Sequence, residues 1–227
     1  MKTRYETMAV VALVLLLGGC ASAPQMQKVK EIYVCAGEEC GPAGQTYNTT
    51  QMLFAVYQLL KQNEGKDINI CDSDPQKRNC ESEGIGYFVM SGVGPGMGSI
   101  KSSKMEDVEL DLPGQTVTAK ASRYMRFVGT PLACVPHPSV LSVRSADEIT
   151  IVDDSFFCNW MLIGNMSANI SFAIESVDFD KGQMGAYWTS RVAGTGYGQG
   201  SGYAVLQFAE AMPRKQNWLK TAEDLSK

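Results

Sequence analysis

Apolar and polar residues alternate along most of the chain beyond residue 85. From Thr116 to Phe127 the odd-numbered positions are mostly apolar and the even-numbered positions are polar. A period of two is typical of a strand with one buried face and one exposed face. The same alternation recurs in 108–112, 166–174, 184–188 and 204–208, and shorter strand-like segments cover 86–91, 148–152 and 156–163. The pattern predicts about eight strands separated by turn residues.

One helix is predicted ahead of these strands. Asn48 and Gln51 have the spacing of a capping box, in which each side chain accepts a hydrogen bond from the backbone of the other residue. From residue 51 to residue 64 the apolar side chains recur at helical spacing, with glutamines on a narrow polar stripe. Gly65 suits the left-handed conformation that ends many helices.

The strand-like alternation beyond residue 85 and the single helix ahead of it predict a mostly β (α+β) fold. We expect an antiparallel barrel or sandwich of about eight strands, preceded by the N-terminal helix and held together by disulfides. Residues 32–227 are long enough for a single domain, which is our expectation. The polar tail 210–227 is expected to contain a short helix.

Composition narrows the range of partners. The chain carries 20 Lys and Arg against 24 Asp and Glu, a net charge of -4, and it contains no block of basic residues. Such a chain has little to neutralise phosphates, so no nucleic-acid partner is predicted. The glycine tracts 92–98 and 194–202 lack the spacing of dinucleotide and phosphate loops, and no cofactor is predicted.

The N-terminus has the layout of an export signal. Lys2 and Arg4 precede the apolar run 8–17, which is shorter than the roughly 20 residues that a membrane-spanning helix needs. Leu17-Gly18-Gly19-Cys20 follows this run directly and resembles the lipobox of bacterial lipoproteins. The resemblance covers only these first residues, and the rest of the chain resembles no family that we can name.

The resemblance implies a signal peptide at 1–19, cleavage before Cys20, and lipid on the Cys20 sulfur and amine. Two acyl attachments give stable anchoring to a membrane. Residues 20–31 would then form a lipidated tether. In that class an aspartate after the cysteine usually retains the protein at the inner membrane. Ala21 therefore implies the outer membrane, with the domain facing the periplasm.

Six cysteines remain after Cys20. An even number in an exported chain predicts three disulfides. The simplest pairing joins nearest neighbours, and an alternative crosses the first two pairs. A zinc site in the first four cysteines would have looser spacing than usual, and no metal is predicted. The disulfide candidates are Cys35, Cys40, Cys71, Cys80, Cys134 and Cys158.

Arg123 is the ligand candidate, because it interrupts the apolar face of 117–127. An unpaired charge that faces a core is very costly. It must therefore lie at a strand bend, have a carboxylate partner, or project into a wet cavity where it could bind an acidic head group. His137, the only histidine, lies between Pro136 and Pro138, which indicates a stiff, exposed loop. No nucleophile motif accompanies it, and no catalytic residue is assigned.

Three functions remain open. The first is a non-catalytic, membrane-anchored module that binds another envelope protein or a surface polymer. The second is a carrier of a small amphiphile in a barrel interior, with Arg123 as its charged contact. The third is a hydrolase with an unconventional site. In the tract 194–202 every second residue is glycine. This tract is expected to form either a flexible hairpin loop or a strand with one face free of side chains, which a ligand or another backbone could approach closely.

Overall fold

The computed structural model describes residues 24–36, 39–91, 94–127, 129–160, 164–194 and 196–212. The predicted signal peptide 1–19, Cys20, the first part of the tether, and the tail from residue 213 lie outside these described residues. Two helices and thirteen strands occupy the described part. They are β1 (Tyr33–Ala36), β2 (Glu39–Pro42), α1 (Ala43–Thr46), α2 (Thr49–Gln62), β3 (Asp67–Asp72), β4 (Ser82–Glu83), β5 (Ile85–Ser91), β6 (Gly94–Asp111), β7 (Thr116–Phe127), β8 (Thr130–Cys134), β9 (His137–Ser145), β10 (Glu148–Trp160), β11 (Gly164–Asp178), β12 (Gln183–Gly194) and β13 (Gly196–Gln207).

The strands form a closed antiparallel barrel of eight positions. The strands β5, β6 and β7 pair in sequence order, as do β10, β11, β12 and β13, while β8 and β9 each lie between β7 and β10. β13 pairs back with β5, which closes the ring. Two positions are each shared by two shorter strands. β3 and β5 both pair with β6 and β13, while β8 and β9 both pair with β7 and β10. The structure thus selects the barrel from the two predicted architectures.

Several strands are longer than the alternation predicts. The segment predicted at 148–152 and residues 156–160 of the segment predicted at 156–163 belong to one strand, β10, whose register shifts between Asp153 and Phe156. Such a bulge inserts extra residues and interrupts the period of two. Residues 161–163 lie outside the described part. Residues 196–202 of the glycine tract belong to β13, which pairs with β12 from Gly198 to Gln207, so the expectation of a flexible loop is wrong for that part.

The helix α2 begins and ends close to the predicted residues. Asn48 and Gln51 form both hydrogen bonds of the capping box, each 2.9 Å long. Gly65 has a φ of 73°, the left-handed conformation expected after the helix. The apolar face of α2 is buried, and the helix contacts β6, β7 and β9. It therefore covers the end of the barrel where β6 ends and β7 begins.

The three disulfides join nearest neighbours in the sequence, which confirms the simplest pairing. They are Cys35–Cys40, Cys71–Cys80 and Cys134–Cys158. Cys35 and Cys40 face each other across β1 and β2, and Cys134 and Cys158 across β8 and β10. Cys71–Cys80 closes the segment between β3 and β4, which we call the disulfide loop (residues 73–81).

Residues 24–30, which we call the strap, lie along the outside of the barrel without regular secondary structure. Their neighbours are Tyr187 on β12, Ala173 on β11 and Thr150 on β10, three residues that share one row of the sheet. Ala173 is buried although it lies between the inward-facing Phe172 and Ile174. The second half of the predicted tether is therefore packed against the barrel, which the polar sequence did not indicate.

Gly185 of β12 lies in a tightly packed part of the barrel wall. A Cβ at this position would overlap the Tyr203 hydroxyl and lie 2.5 Å from the Ser176 hydroxyl oxygen. Gly185→Ala is therefore expected to lower the free energy of unfolding by about 1–3 kcal/mol, measured by urea denaturation. Gly41→Ala is the control, since no atom lies within 4 Å of its Cβ position. Equal stability of the two variants would contradict this packing.

Candidate functional site

Arg123 faces the interior of the barrel, where it pairs with Asp153. The Arg123 Nε donates to Asp153 Oδ2 over 2.6 Å, and a second guanidinium nitrogen donates to the same oxygen. Arg123 is 5% exposed and Asp153 is fully buried. The predicted carboxylate partner of Arg123 is thus Asp153, thirty residues further along the chain.

His137 belongs to the same cluster. Its Nε2 lies 3.3 Å from Asp153 Oδ2, and its ring stacks on Phe156 with 4.5 Å between centroids. Its Nδ1 lies 3.3 Å from the Val135 carbonyl oxygen. His137 is buried at the start of β9, so the expectation of an exposed loop is wrong. His137 and Pro138 belong to the ladder with β7, where they lie opposite Ala121 and Lys120, and the His137 side chain points inward.

We call Arg123, His137, Ser139 and Asp153 the internal cluster. Burial by itself would raise the pKa of Asp153. The Arg123 guanidinium, helped by the neighbouring His137 and Ser139 side chains, outweighs that effect, and the pKa of Asp153 lies below its ordinary value. The aspartate is therefore an anion that balances the charge of Arg123 inside the barrel.

Sequence reasoning missed Asp153 and His137, although a signal was present. Ile149, Ile151 and Asp153 continue the inward period of two on β10, and His137 and Ser139 continue that of Leu141 on β9. One strand was predicted to end at Val152 and the next to begin at Phe156, which left Asp153 between them. Extending the first strand by one residue would have placed Asp153 on the inward face, whereas the strand that carries His137 and Ser139 was not predicted.

The space beside Arg123 is too small for a head group. It measures about 10 Å³ and is closed by apolar side chains, among them Leu60 of α2 and Phe172 of β11. A cavity of this size holds about one water molecule. A carboxylate or phosphate could bind here only by displacing Asp153, so the geometry gives the proposed ligand role of Arg123 no support. His137, turned toward Asp153, is likewise closed to a substrate.

An open cleft lies on the outside of the barrel, on the wall formed by β12 and β13. Its volume is about 530 Å³, within the range of small-molecule sites. We call it the wall cleft. The strap forms one side, the disulfide loop forms the other, and the two strands form the floor. The lining residues are Gln25, Gln27, Ser73, Asp74, Pro75, Glu81, Tyr187, Trp188, Ser201, Gly202 and Tyr203.

Two contacts hold the disulfide loop against the barrel. The Cys71–Cys80 bond closes its base. Arg78 donates to Glu175 Oε1 over 2.5 Å, and its guanidinium lies 5.1 Å from the centroid of the Tyr33 ring. Glu175 is itself fixed by the Tyr203 hydroxyl, which donates to Oε2 over 3.0 Å. This side of the wall cleft is therefore anchored by covalent and ionic contacts.

Tyr203 and Tyr187 shape the floor. Burial is the main cause that raises the pKa of Tyr203 above its ordinary value, and Glu175 adds to it, so the hydroxyl stays protonated and donates. The two tyrosine rings meet edge to face with 5.1 Å between centroids. Tyr203 is buried, whereas Tyr187 is half-buried and turns part of its ring toward the cleft.

Neither a family model, nor a curated protein, nor a solved structure matches this chain. Neither of the helices in the described part is long and apolar enough to cross a bilayer. Within the described ranges no three His, Cys, Asp or Glu side chains converge to hold a metal ion.

The internal ion pair should matter far more to stability than an exposed one. Asp153→Ala leaves the Arg123 charge buried without a partner and is expected to cost about 3–5 kcal/mol in the free energy of unfolding. The double variant Arg123→Met/Asp153→Leu, which removes both charges, should cost less than Asp153→Ala. Lys120→Met is the control, since Lys120 and Asp107 pair at 2.6 Å on the surface, and it should cost under about 1 kcal/mol. Urea denaturation distinguishes the three variants.

Stability should also fall in acid. Asp153 has a folded pKa below its unfolded value of 3.8, so its contribution is complete above that pH and is lost as the pH falls through the folded pKa. Between pH 5 and pH 2 the wild type should lose more unfolding free energy than the Arg123→Met/Asp153→Leu variant. Parallel curves of stability against pH would show that the pair contributes nothing to acid unfolding.

Proposed function

We propose that this chain is a bacterial envelope lipoprotein that acts as a non-catalytic binding module. Lipid on Cys20 would attach it to the outer membrane, with the barrel in the periplasm. The observation that carries the binding role is the contrast between the two sides of the barrel wall. The charged groups inside are paired with one another and closed off, whereas the wall cleft is open and lined by polar side chains.

The anchor is supported by the sequence and is compatible with the position of the strap. The lipobox-like segment ends at Cys20, and Pro24 is the first described residue of the strap. Four residues span at most about 14 Å when fully extended. Lipid on Cys20 would therefore keep the wall formed by β11, β12 and β13 close to the bilayer. The three disulfides suit an oxidising compartment such as the periplasm.

The anchor is tested by labelling cells with an alkyne analogue of palmitate and fractionating their membranes. Wild-type protein should carry the label and sediment with outer membranes. Cys20→Ser should lose the label and leave the membrane fraction, because the acyl chains supply the anchoring energy. A wild type without label, or a serine variant that is equally membrane-bound, would refute the lipoprotein assignment.

Ala21→Asp is the matched variant for the choice of membrane. It keeps Cys20 and should keep the label, but the protein should shift from the outer-membrane to the inner-membrane fraction. An unchanged distribution would argue against sorting by the residue that follows Cys20.

A further inference from the structure

The wall cleft is bordered by four polar side chains that have no hydrogen-bond partner among the described residues. The amides of Gln25 and Gln27 and the hydroxyls of Tyr187 and Ser201 make no hydrogen bond to any other described residue. They come from the strap, from β12 and from β13, and all four line the same cleft. Four convergent groups that can donate and accept are available to a ligand.

The charge of the cleft restricts the ligand. No lysine or arginine is among its lining residues, which include Asp74 and Glu81. Both carboxylates are already engaged. Asp74 accepts from the Gln76 backbone N–H over 2.7 Å, and Glu81 pairs with Lys77 at 2.6 Å. No cationic side chain lines the cleft to hold a phosphate or carboxylate, and the Lys77 ammonium beside it is paired with Glu81. These features favour an uncharged ligand.

The floor adds an aromatic surface. Tyr187 is half-buried, so part of its ring remains open beside the Ser201 hydroxyl and the strap amides. A sugar ring has apolar C–H faces that can pack on an aromatic ring, and hydroxyls at its edge that both donate and accept. Amide and hydroxyl side chains match those hydroxyls because they too can donate and accept.

We propose that the wall cleft binds a neutral saccharide, stacked on Tyr187 and hydrogen-bonded by Gln25, Gln27 and Ser201. This proposal deepens the binding role proposed above and rests on it. Gln25 is five residues from Cys20, a span of at most about 17 Å, so an anchored protein would hold the cleft near the bilayer surface. The sugar could thus belong to a neutral glycolipid or to a free polymer of the envelope.

Isothermal titration of the detergent-purified, full-length protein tests the ligand class. The probes are two neutral trisaccharides, maltotriose and the N-acetylglucosamine trimer, with trigalacturonic acid as the anion and trilysine as the cation. We expect at least one neutral trisaccharide to bind and both charged probes to bind at least about tenfold more weakly. Binding of a charged probe alone, or of no probe, would overturn the proposal.

Variants then locate the site. Tyr187→Ala should weaken saccharide binding about tenfold through the loss of stacking, and Gln27→Ala by about threefold to tenfold through the loss of a hydrogen bond. Because Gln27 is exposed and makes no hydrogen bond to another described residue, its variant stays informative even if Tyr187→Ala unfolds. Thr189→Ala, on β12 but outside the cleft lining, is the control and should bind as the wild type does. Equal affinity in the wild type and Gln27→Ala would refute this site.

Vesicles distinguish the two sources of the sugar. The Cys20→Ser protein, which lacks the proposed anchor, is sedimented with phosphatidylcholine vesicles that do or do not contain digalactosyl diacylglycerol. Binding only to the galactolipid vesicles supports a glycolipid head group, whereas binding of soluble trisaccharide alone supports a free polymer. Failure of every sugar probe, with the Cys20 label intact, would remove the saccharide proposal and leave the lipid anchor standing.

Discussion

The ion pair between Arg123 and Asp153 is the interaction on which the interior of this barrel depends. Closing a sheet into a barrel of eight strands turns alternate side chains toward a space that those side chains must fill. Arg123 is one of them, and it is 5% exposed. A charge there is tolerated only with an opposite charge and further hydrogen bonds. Asp153 supplies the charge, and His137 and Ser139 complete its surroundings.

Because the interior of the barrel is filled, a ligand would have to bind on the outside of the barrel wall. α2 covers one end of the barrel, and the space beside Arg123 has room for little more than a water molecule. The strap and the disulfide loop lie on the outer face of the barrel wall, and the cleft is the space between them. The loop is held by Cys80 and Arg78, and Val29 of the strap packs against the hydrophobic core. A side of the cleft that is held in place before a ligand arrives loses less entropy on binding.

Gly202 of β13 and Gly185 of β12 let large aromatic side chains pack against the backbone. A Cβ on Gly202 would lie 3.1 Å from the indole nitrogen of Trp188 on the adjacent strand, so the ring sits directly on the bare backbone. Gly185 does the same for Tyr203. Large rings thus pair with residues that have no side chain, which lets a small barrel hold tryptophan and tyrosine without expanding its wall.

Several local features of this protein were predictable from its sequence, although the disulfide pairing was left open between two alternatives. The capping box at Asn48, the left-handed end of the helix at Gly65, the strand at Thr116–Phe127 and the nearest-neighbour disulfides depend on residues close together in the chain. The closure of the barrel, the choice of Asp153 as the partner of Arg123, the burial of His137 and the position of the strap were decided only by the tertiary structure. Each of these depends on which residues from distant strands meet across the barrel. Alternation shows which way a side chain points, but strand order and a bulge decide what it meets there.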